Sequence, residues 1–128
     1  MAKIKVGYVD GFVLSVPKNK RDQYKKMAKE GAKMWLKAGA LDYKECVADD
    51  MEPNMGEMKA LTFIKLAKPK DGEEVWFSFI SYKSRAHRDQ VNKKVMAGMD
   101  KHAEQHKDMK MPFDVKRMAY GGFKVIVG

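Results

Sequence analysis

The apolar run at residues 73–82, EEVWFSFISY, constrains the fold more than any other stretch of this chain. Its apolar side chains fall on both faces of a strand, whereas a half-buried strand alternates apolar and polar residues. A strand that is apolar on both faces belongs in the centre of a sheet, covered on both sides. The run therefore predicts a sheet that has this segment in its interior.

The segments around this run alternate between strand and helix patterns. Further strands are predicted over residues 3–16, 41–48 and 117–127. Stripes of apolar residues spaced three to four apart predict helices over residues 18–38 and 84–99. Ser84 is expected to cap the second helix, and Gly39 to end the first. Residues 58–67, MKALTFIKLA, fit either a short helix or an irregular strand.

This order, β-α-β-(short element)-β-α-β, is that of the ferredoxin-like split βαβ fold. It predicts an α+β protein with a four-stranded antiparallel sheet and both long helices on one face. The last strand should lie beside the first, with its apolar residues in the core. The 128 residues are enough for one compact domain, which we expect to span 1–128. Because apolar side chains also point to the face without helices, we expect a homodimer in which a second sheet covers it.

The glycine pair Gly121-Gly122 interrupts the last predicted strand. A phosphate-binding loop requires a helix N-terminus directly after its glycines, and no helix pattern follows this pair. The pair is therefore expected to mark a bulge or a close approach of neighbouring groups to the backbone.

The net charge of +9, from 26 Lys and Arg against 17 Asp and Glu, raises the question of nucleic-acid binding. Part of the excess forms one stripe on the first predicted helix, at Lys25, Lys29, Lys33 and Lys37. A solvated face is the preferred interpretation of this stripe, and an anion-binding face is the alternative. Arginines and aromatic residues are not interleaved as on an RNA-binding surface, so nucleic acid is the least favoured partner. No apolar run approaches the roughly 20 residues of a membrane helix, so no membrane association is expected. The single cysteine, Cys46, cannot form an internal disulfide, which indicates a cytoplasmic protein.

Four segments carry a family resemblance: YVDGFVLSVP at 8–17, LDYKECVADD at 41–50, SRAHRDQVNKKVM at 84–96 and MPFDVKRMAYGGF at 111–123. They are similar to the YbaA-like family, a bacterial family of unknown function, over nearly the whole chain. The resemblance implies a ferredoxin-like fold of the dimeric α+β barrel superfamily. It implies no established activity and assigns no catalytic residue. The chain departs from the family pattern at 97–110, AGMDKHAEQHKDMK.

Two carboxylates fall on strand faces that should be buried. Asp10 interrupts the apolar face of the first strand, and Glu45 interrupts that of the second. A buried ionised carboxylate costs several kcal/mol of stability unless it is paired or its pKa is raised. Arg88, early in the second helix, and Arg117, at the start of the last strand, are the expected partners, because arginine binds a carboxylate through two donors. Arg88 is the preferred partner of Asp10.

These residues leave two interpretations open. They form either a structural ion-pair network or a polar pocket between sheet and helices that binds, or transforms, a small molecule. The candidate pocket residues are Asp10, Glu45, Arg88, Asp89, Asn92, Arg117 and Tyr120. Whether the protein is an enzyme stays open. The alternative functions are a non-enzymatic dimeric interaction module and, last, an RNA-associated basic protein.

The histidines do not favour a metal site, and no metal or cofactor is predicted. His102 and His106 are four residues apart, but HAEQH differs from H-E-x-x-H and has no evident third ligand. His87, near the start of the second helix, is expected at the surface, with a role as general base as the alternative. The 11 methionines are expected to fill the core.

Overall fold

The computed structural model describes residues 5–101 and 110–128. Its strands are β1 (Tyr8–Pro17), β2 (Asp42–Val47), β3 (Glu73–Tyr82) and β4 (Ala119–Lys124). Its α-helices are α1 (Arg21–Ala38), α2 (Phe63–Ala67) and α3 (Arg85–Lys101). Two 3-10 turns, Lys18–Lys20 and Val115–Arg117, precede α1 and β4. This order confirms the predicted α+β class, and the ambiguous segment 58–67 contains a short helix.

The four strands form one antiparallel sheet in the order β2-β3-β1-β4. This is the topology of the ferredoxin-like fold. The apolar run 73–82 is β3 with the predicted bounds, and it lies between β1 and β2. The last strand pairs with the first, as predicted.

Both long helices cover the same face of the sheet, and period-two alternation decides which side chains meet them. One cluster joins β1 and β3 to α3 through Tyr8, Ile80, Tyr82, Val91 and Val95. A second cluster joins the same strands to α1 through Leu14, Val16, Tyr24, Ala28 and Trp76. Fully burying one such large side chain stabilises the fold by about 1.5–3 kcal/mol. A slip of one residue in either strand would expose the whole set, so packing fixes the register.

The helix ends follow from local chemistry. Gly39 ends α1 with φ at +119°, a conformation that residues with a Cβ rarely adopt. The Ser84 hydroxyl accepts a hydrogen bond of 3.1 Å from the backbone N–H of His87, which satisfies a donor at the start of α3. Both ends were expected from the sequence.

The predicted bounds of the first and last strands of the chain are wrong. β1 begins at Tyr8, not at residue 3, and β4 covers only part of 117–127. Just after β4, the backbone N–H of Val125 donates a hydrogen bond to the carbonyl of Gly7, which precedes β1. Beyond that bond the chain has left β1, so Ile126 and Val127 are 81% and 91% exposed rather than in the core.

The glycine pair does not form a bulge. Gly121 pairs with Gly11 and Gly122 with Asp10 in uninterrupted antiparallel register. A Cβ on Gly122 would overlap the Tyr8 hydroxyl. The close approach that the sequence predicted as the alternative is therefore the reason for this glycine.

Candidate functional site

A cavity of about 730 Å³ lies between the sheet and the two long helices. Aromatic residues from the sheet, from α1 and from the segment before β4 line it: Phe12, Tyr24, Trp35, Tyr43 and Phe113. Six methionines line it as well: Met27, Met34, Met96, Met99, Met111 and Met118. The methionines were expected to fill the core, and here they border empty space instead. The volume is within the range of small-molecule sites.

The Glu45 carboxylate lies in this cavity, where two tyrosine hydroxyls hold it. Tyr24 of α1 donates a hydrogen bond of 2.7 Å to Oε2, and Tyr43 of β2 donates one of 2.9 Å to Oε1. Tyr43 and Glu45 are two residues apart in β2, so they share the face that meets the helices. Tyr24 is 3% exposed and is fixed by packing against Trp76. The carboxylate is therefore held in one orientation by two neutral donors.

Burial raises the pKa of Glu45 and of its two hydrogen-bond donors, and so favours the neutral form of each. Removal from water raises the pKa of Glu45, and the two tyrosine hydrogen bonds oppose that shift by favouring the charged form. Burial, and next the charge of Glu45, raise the pKa of both Tyr24 and Tyr43. The tyrosines therefore stay neutral donors, while the carboxyl group can gain or lose a proton in a range closer to neutral pH.

Neither of the two candidate arginines, Arg88 and Arg117, pairs with Glu45 in the structure. Arg117 forms a two-pronged ion pair with Glu73, at 2.9 and 2.7 Å, and lies in the 3-10 turn before β4. The turn places its guanidinium beside the start of β3, outside the cavity lining. Tyrosines take the place of arginine at Glu45, and so the prediction for Arg117 is wrong.

Asp10 belongs to a second, closed cluster, and the expected pairing with Arg88 is present. The Asp10 side chain is 2% exposed, and Nε of Arg88 lies 3.7 Å from its Oδ1. Arg88 also donates a hydrogen bond of 3.0 Å to the Tyr8 hydroxyl and lies over the Tyr8 ring. Burial raises the pKa of Asp10, and the Arg88 charge opposes the shift. Within the described chain, Oδ1 of Asp10 and the hydroxyl of Tyr82 are buried without a hydrogen-bond partner.

The remaining predicted residues take supporting or peripheral positions. Asn92 accepts a hydrogen bond of 3.1 Å from the indole N–H of Trp35, and so orients a ring of the cavity wall. Asp89 has a 59% exposed side chain, 3.5 Å from Arg88. Tyr120 is 55% exposed and stacks on Phe12. Of the predicted set, Glu45 is the residue that borders the cavity.

His87 has a structural role at the start of α3. Its Nδ1 accepts a hydrogen bond of 3.0 Å from the backbone N–H of Lys83, and its ring packs edge-on against Tyr82. His102 and His106 lie outside the described residues. Among the side chains that the structure describes, in residues 5–99 and 110–128, acidic residues, histidines and cysteines form no group of three placed to hold a metal ion. No helix of this same part of the chain is long and apolar enough to span a bilayer.

The tyrosines that hold Glu45, and Trp35, were not predicted as site residues. Tyr43 could have been found, because it alternates with Glu45 on one strand face. Tyr24 and Trp35 both lie on the apolar stripe of α1, where they look like ordinary core residues. Their distances to the second strand depend on how the helix packs, which the pattern does not give.

A family profile described as "Protein of unknown function (DUF1428)" matches residues 7–115. The chain belongs to the DUF1428 family. It is 42% identical over 120 residues to the uncharacterized protein YbaA of Escherichia coli strain K12, covering 94% of this chain and 97% of that protein. The YbaA protein of Shigella flexneri matches to the same extent. The expected family membership is confirmed, and the matched range contains both tyrosines and Glu45.

The other face of the sheet in this DUF1428 chain is apolar and largely uncovered. Its exposed or partly exposed side chains are Val9, Val13, Phe77, Phe79 and Phe123. The short helix α2 lies over one part of it, with the Phe63 ring 6.1 Å from that of Phe77. Exposed aromatic residues grouped on one face are typical of a surface that contacts another molecule.

Proposed function

We propose that this DUF1428 protein binds a small, largely apolar molecule in the cavity, with Glu45 as the polar anchor. The observation that carries the proposal is the carboxylate of Glu45, held in one orientation inside a cavity of about 730 Å³ lined by aromatic and methionine side chains. Small-molecule sites combine such apolar walls with a few placed polar groups. A carboxyl group with a raised pKa is also suited to accept a proton from a bound molecule.

Replacing a small residue of the cavity wall with a large one tests this function. Ala28 of α1 lines the cavity and is 8% exposed, whereas Ala86 of α3 is exposed. We expect the neutral apolar probe N-phenyl-1-naphthylamine to bind the wild-type protein with a rise in its fluorescence. Ala28→Phe should weaken that binding at least fivefold, because the new ring takes up space in the cavity. Ala86→Phe, the same change on the surface, should leave affinity within twofold.

Equal affinities for the wild type and both variants would contradict the proposal, since the probe would then bind elsewhere. Circular dichroism of each variant, with a cooperative melt, separates lost binding from lost folding. Native mass spectrometry of the purified protein provides an independent test, because a ligand retained by wild type and absent from Ala28→Phe would occupy the same space.

The protein forms a homodimer through the uncovered sheet face under this proposal. Phe77 and Phe123 are 41% and 64% exposed there, and a stable interface buries more than about 1,000 Å² in total. Light scattering at micromolar concentration should give a dimer for wild type and a monomer for Phe123→Glu. Tyr120→Glu is the matched control, because Tyr120 is similarly exposed on the same strand but on the opposite face. A monomeric wild type would refute the dimer.

The cytoplasm is the compartment that fits the chain. Cys46 is the single cysteine and is exposed and free. Secreted proteins of this size commonly use cysteines in disulfides, which this chain cannot form internally. Fractionation of cells that express the tagged protein tests this, with recovery outside the cytoplasm as the contradicting result.

A further inference from the structure

We infer that the ligand of the cavity is an apolar organic cation, whose ammonium group lies beside Glu45. This inference rests on the proposed function, because it names the chemical class of the molecule that the same cavity would hold. Three independent properties of the lining support it: its charge, its hydrogen-bonding capacity and its aromatic rings.

The charge of the cavity is opposite to that of the chain. The net charge of the sequence is +9. Among the described residues that line the cavity, however, the charged side chains are Glu45 and Glu30, and none is Lys, Arg or His. A carboxylate removed from water without a cation nearby is costly, and a cation placed beside it stabilises its charged form. A positively charged ligand would supply the cation that the described residues of the lining do not provide.

The hydrogen bonds at Glu45 select for a donor. Tyr24 and Tyr43 donate one bond to each carboxylate oxygen. An ionised carboxylate has about four acceptor positions and no donor, so acceptor positions remain for a ligand. An ammonium group offers donors together with charge, and charge-assisted bonds are roughly twice as strong as neutral ones. A carboxylate or phosphate ligand would meet the same group with repulsion.

The aromatic rings of the wall favour a cation as well. The Trp35 and Tyr43 rings lie 6.3 Å apart, and those of Tyr24 and Phe113 lie 5.7 Å apart. All four line the cavity that holds the carboxylate. Aromatic faces attract cations through their quadrupole, most strongly where water is excluded. The same rings provide the apolar contacts for the rest of the ligand.

Protonation of Glu45 would then be coupled to binding. Burial raises the pKa of Glu45, and a cation beside it would lower that pKa again. Among the described residues of the lining, the titratable groups around it are Tyr24 and Tyr43, which burial keeps neutral, and Glu30, which is exposed. Cation binding below the raised pKa therefore releases a proton from Glu45 to the buffer.

Three molecules of similar shape test the inference: 4-phenylbutylammonium, 4-phenylbutanol and 4-phenylbutyrate. Titration calorimetry on the wild-type protein at pH 7 should show the ammonium binding at least tenfold more tightly than the alcohol, and the carboxylate most weakly. In Glu45→Gln the preference for ammonium over alcohol should fall to within twofold, while affinity for the alcohol is retained. Glu57→Gln, at an exposed position outside the cavity lining, controls for the change in net charge.

The outcomes separate this inference from the function on which it rests. Equal binding of ammonium and alcohol by wild type would overturn the cation inference and leave an apolar binding site in place. Binding of none of the three would overturn both. A preference for ammonium that survives in Glu45→Gln would overturn the assignment to Glu45. The first two outcomes are measured on the wild-type protein alone. A folding defect in Glu45→Gln would therefore not affect them.

Discussion

Arg88→Ala should destabilise the fold in a way that depends on pH, because it leaves the Asp10 carboxylate without its cation. The carboxylate is 2% exposed, and the Arg88 Nε lies 3.7 Å from it without a hydrogen bond. Removing one member of a buried pair costs roughly 3–5 kcal/mol, since the remaining charge is left in a medium of low polarity.

Protonation of Asp10 limits that cost. Its ordinary pKa is 3.8, and each unit of separation between pH and pKa is worth about 1.36 kcal/mol. Neutralising the carboxyl group therefore costs at most about 4 kcal/mol at pH 7 and about 1.6 kcal/mol at pH 5. Because the variant raises the folded-state pKa further, stability is lost as pH rises above 3.8. Loss of the stacking on Tyr8 adds about 0.5–1 kcal/mol at either pH.

Urea unfolding at pH 5 and pH 7 measures this difference. We expect Arg88→Ala to lose about 3–5 kcal/mol at pH 7 and distinctly less at pH 5. Arg85→Ala, the same change at an exposed position one turn earlier, should stay within about 0.5 kcal/mol at both. Combining Asp10→Asn with Arg88→Met should recover much of the loss, since no charge is then stranded. Equal losses at the two pH values, or no difference between the two arginines, would refute the reasoning.

Three further predictions concern the cavity, β4 and its glycines. Glu45→Gln should remove a fall in stability that wild type shows as pH rises above 4.5, with a slope of at most about 1.4 kcal/mol per pH unit, in denaturant titrations. A raised folded-state pKa has this sign, so a wild-type stability that rises over that range would count against it. Truncation after Asp114 removes the β4 ladder and should abolish the cooperative thermal transition by circular dichroism; a soluble, cooperatively melting fragment would contradict this. Gly122→Ala should cost about 1–3 kcal/mol because its Cβ meets the Tyr8 ring, while Gly121→Ala, whose Cβ would make only an ordinary van der Waals contact with Phe123, should not.

The sequence was sufficient to predict the order of the elements, but not the bounds of the first and last strands. β3 was predicted to the residue, because an uninterrupted apolar run has a clear beginning and end. β4 ends at Lys124, which pairs with Tyr8, the first residue of β1, and a 3-10 turn over Val115–Arg117 precedes its start at Ala119. The apolar character of Ile126 and Val127 predicts that they are buried in the core, whereas both are exposed in the structure.

For the site, the alternation of β2 identified Glu45 but could not identify its partners. Tyr24 is 21 residues away in sequence and belongs to a different element. It reaches the carboxylate because α1 lies across β2 in one particular rotation, which side-chain packing decides. Arg117 failed as a candidate for a related reason, since a 3-10 turn carries it to Glu73. The sequence pattern locates a buried charged residue, whereas tertiary packing determines which side chains contact it.

Asp10 and Glu45 break the same kind of pattern, yet their partners give them different chemistry. Asp10 faces a guanidinium of its own chain, so its charge is balanced before any ligand arrives. Glu45 is held by two neutral hydroxyls, which orient the carboxylate, and no cation from the described part of the chain balances its charge. Such a group must either bind a proton or face a cation from outside. Glu45 borders a cavity of about 730 Å³, whereas Asp10 lies in a closed cluster. A ligand can therefore balance the charge of Glu45 but cannot reach that of Asp10.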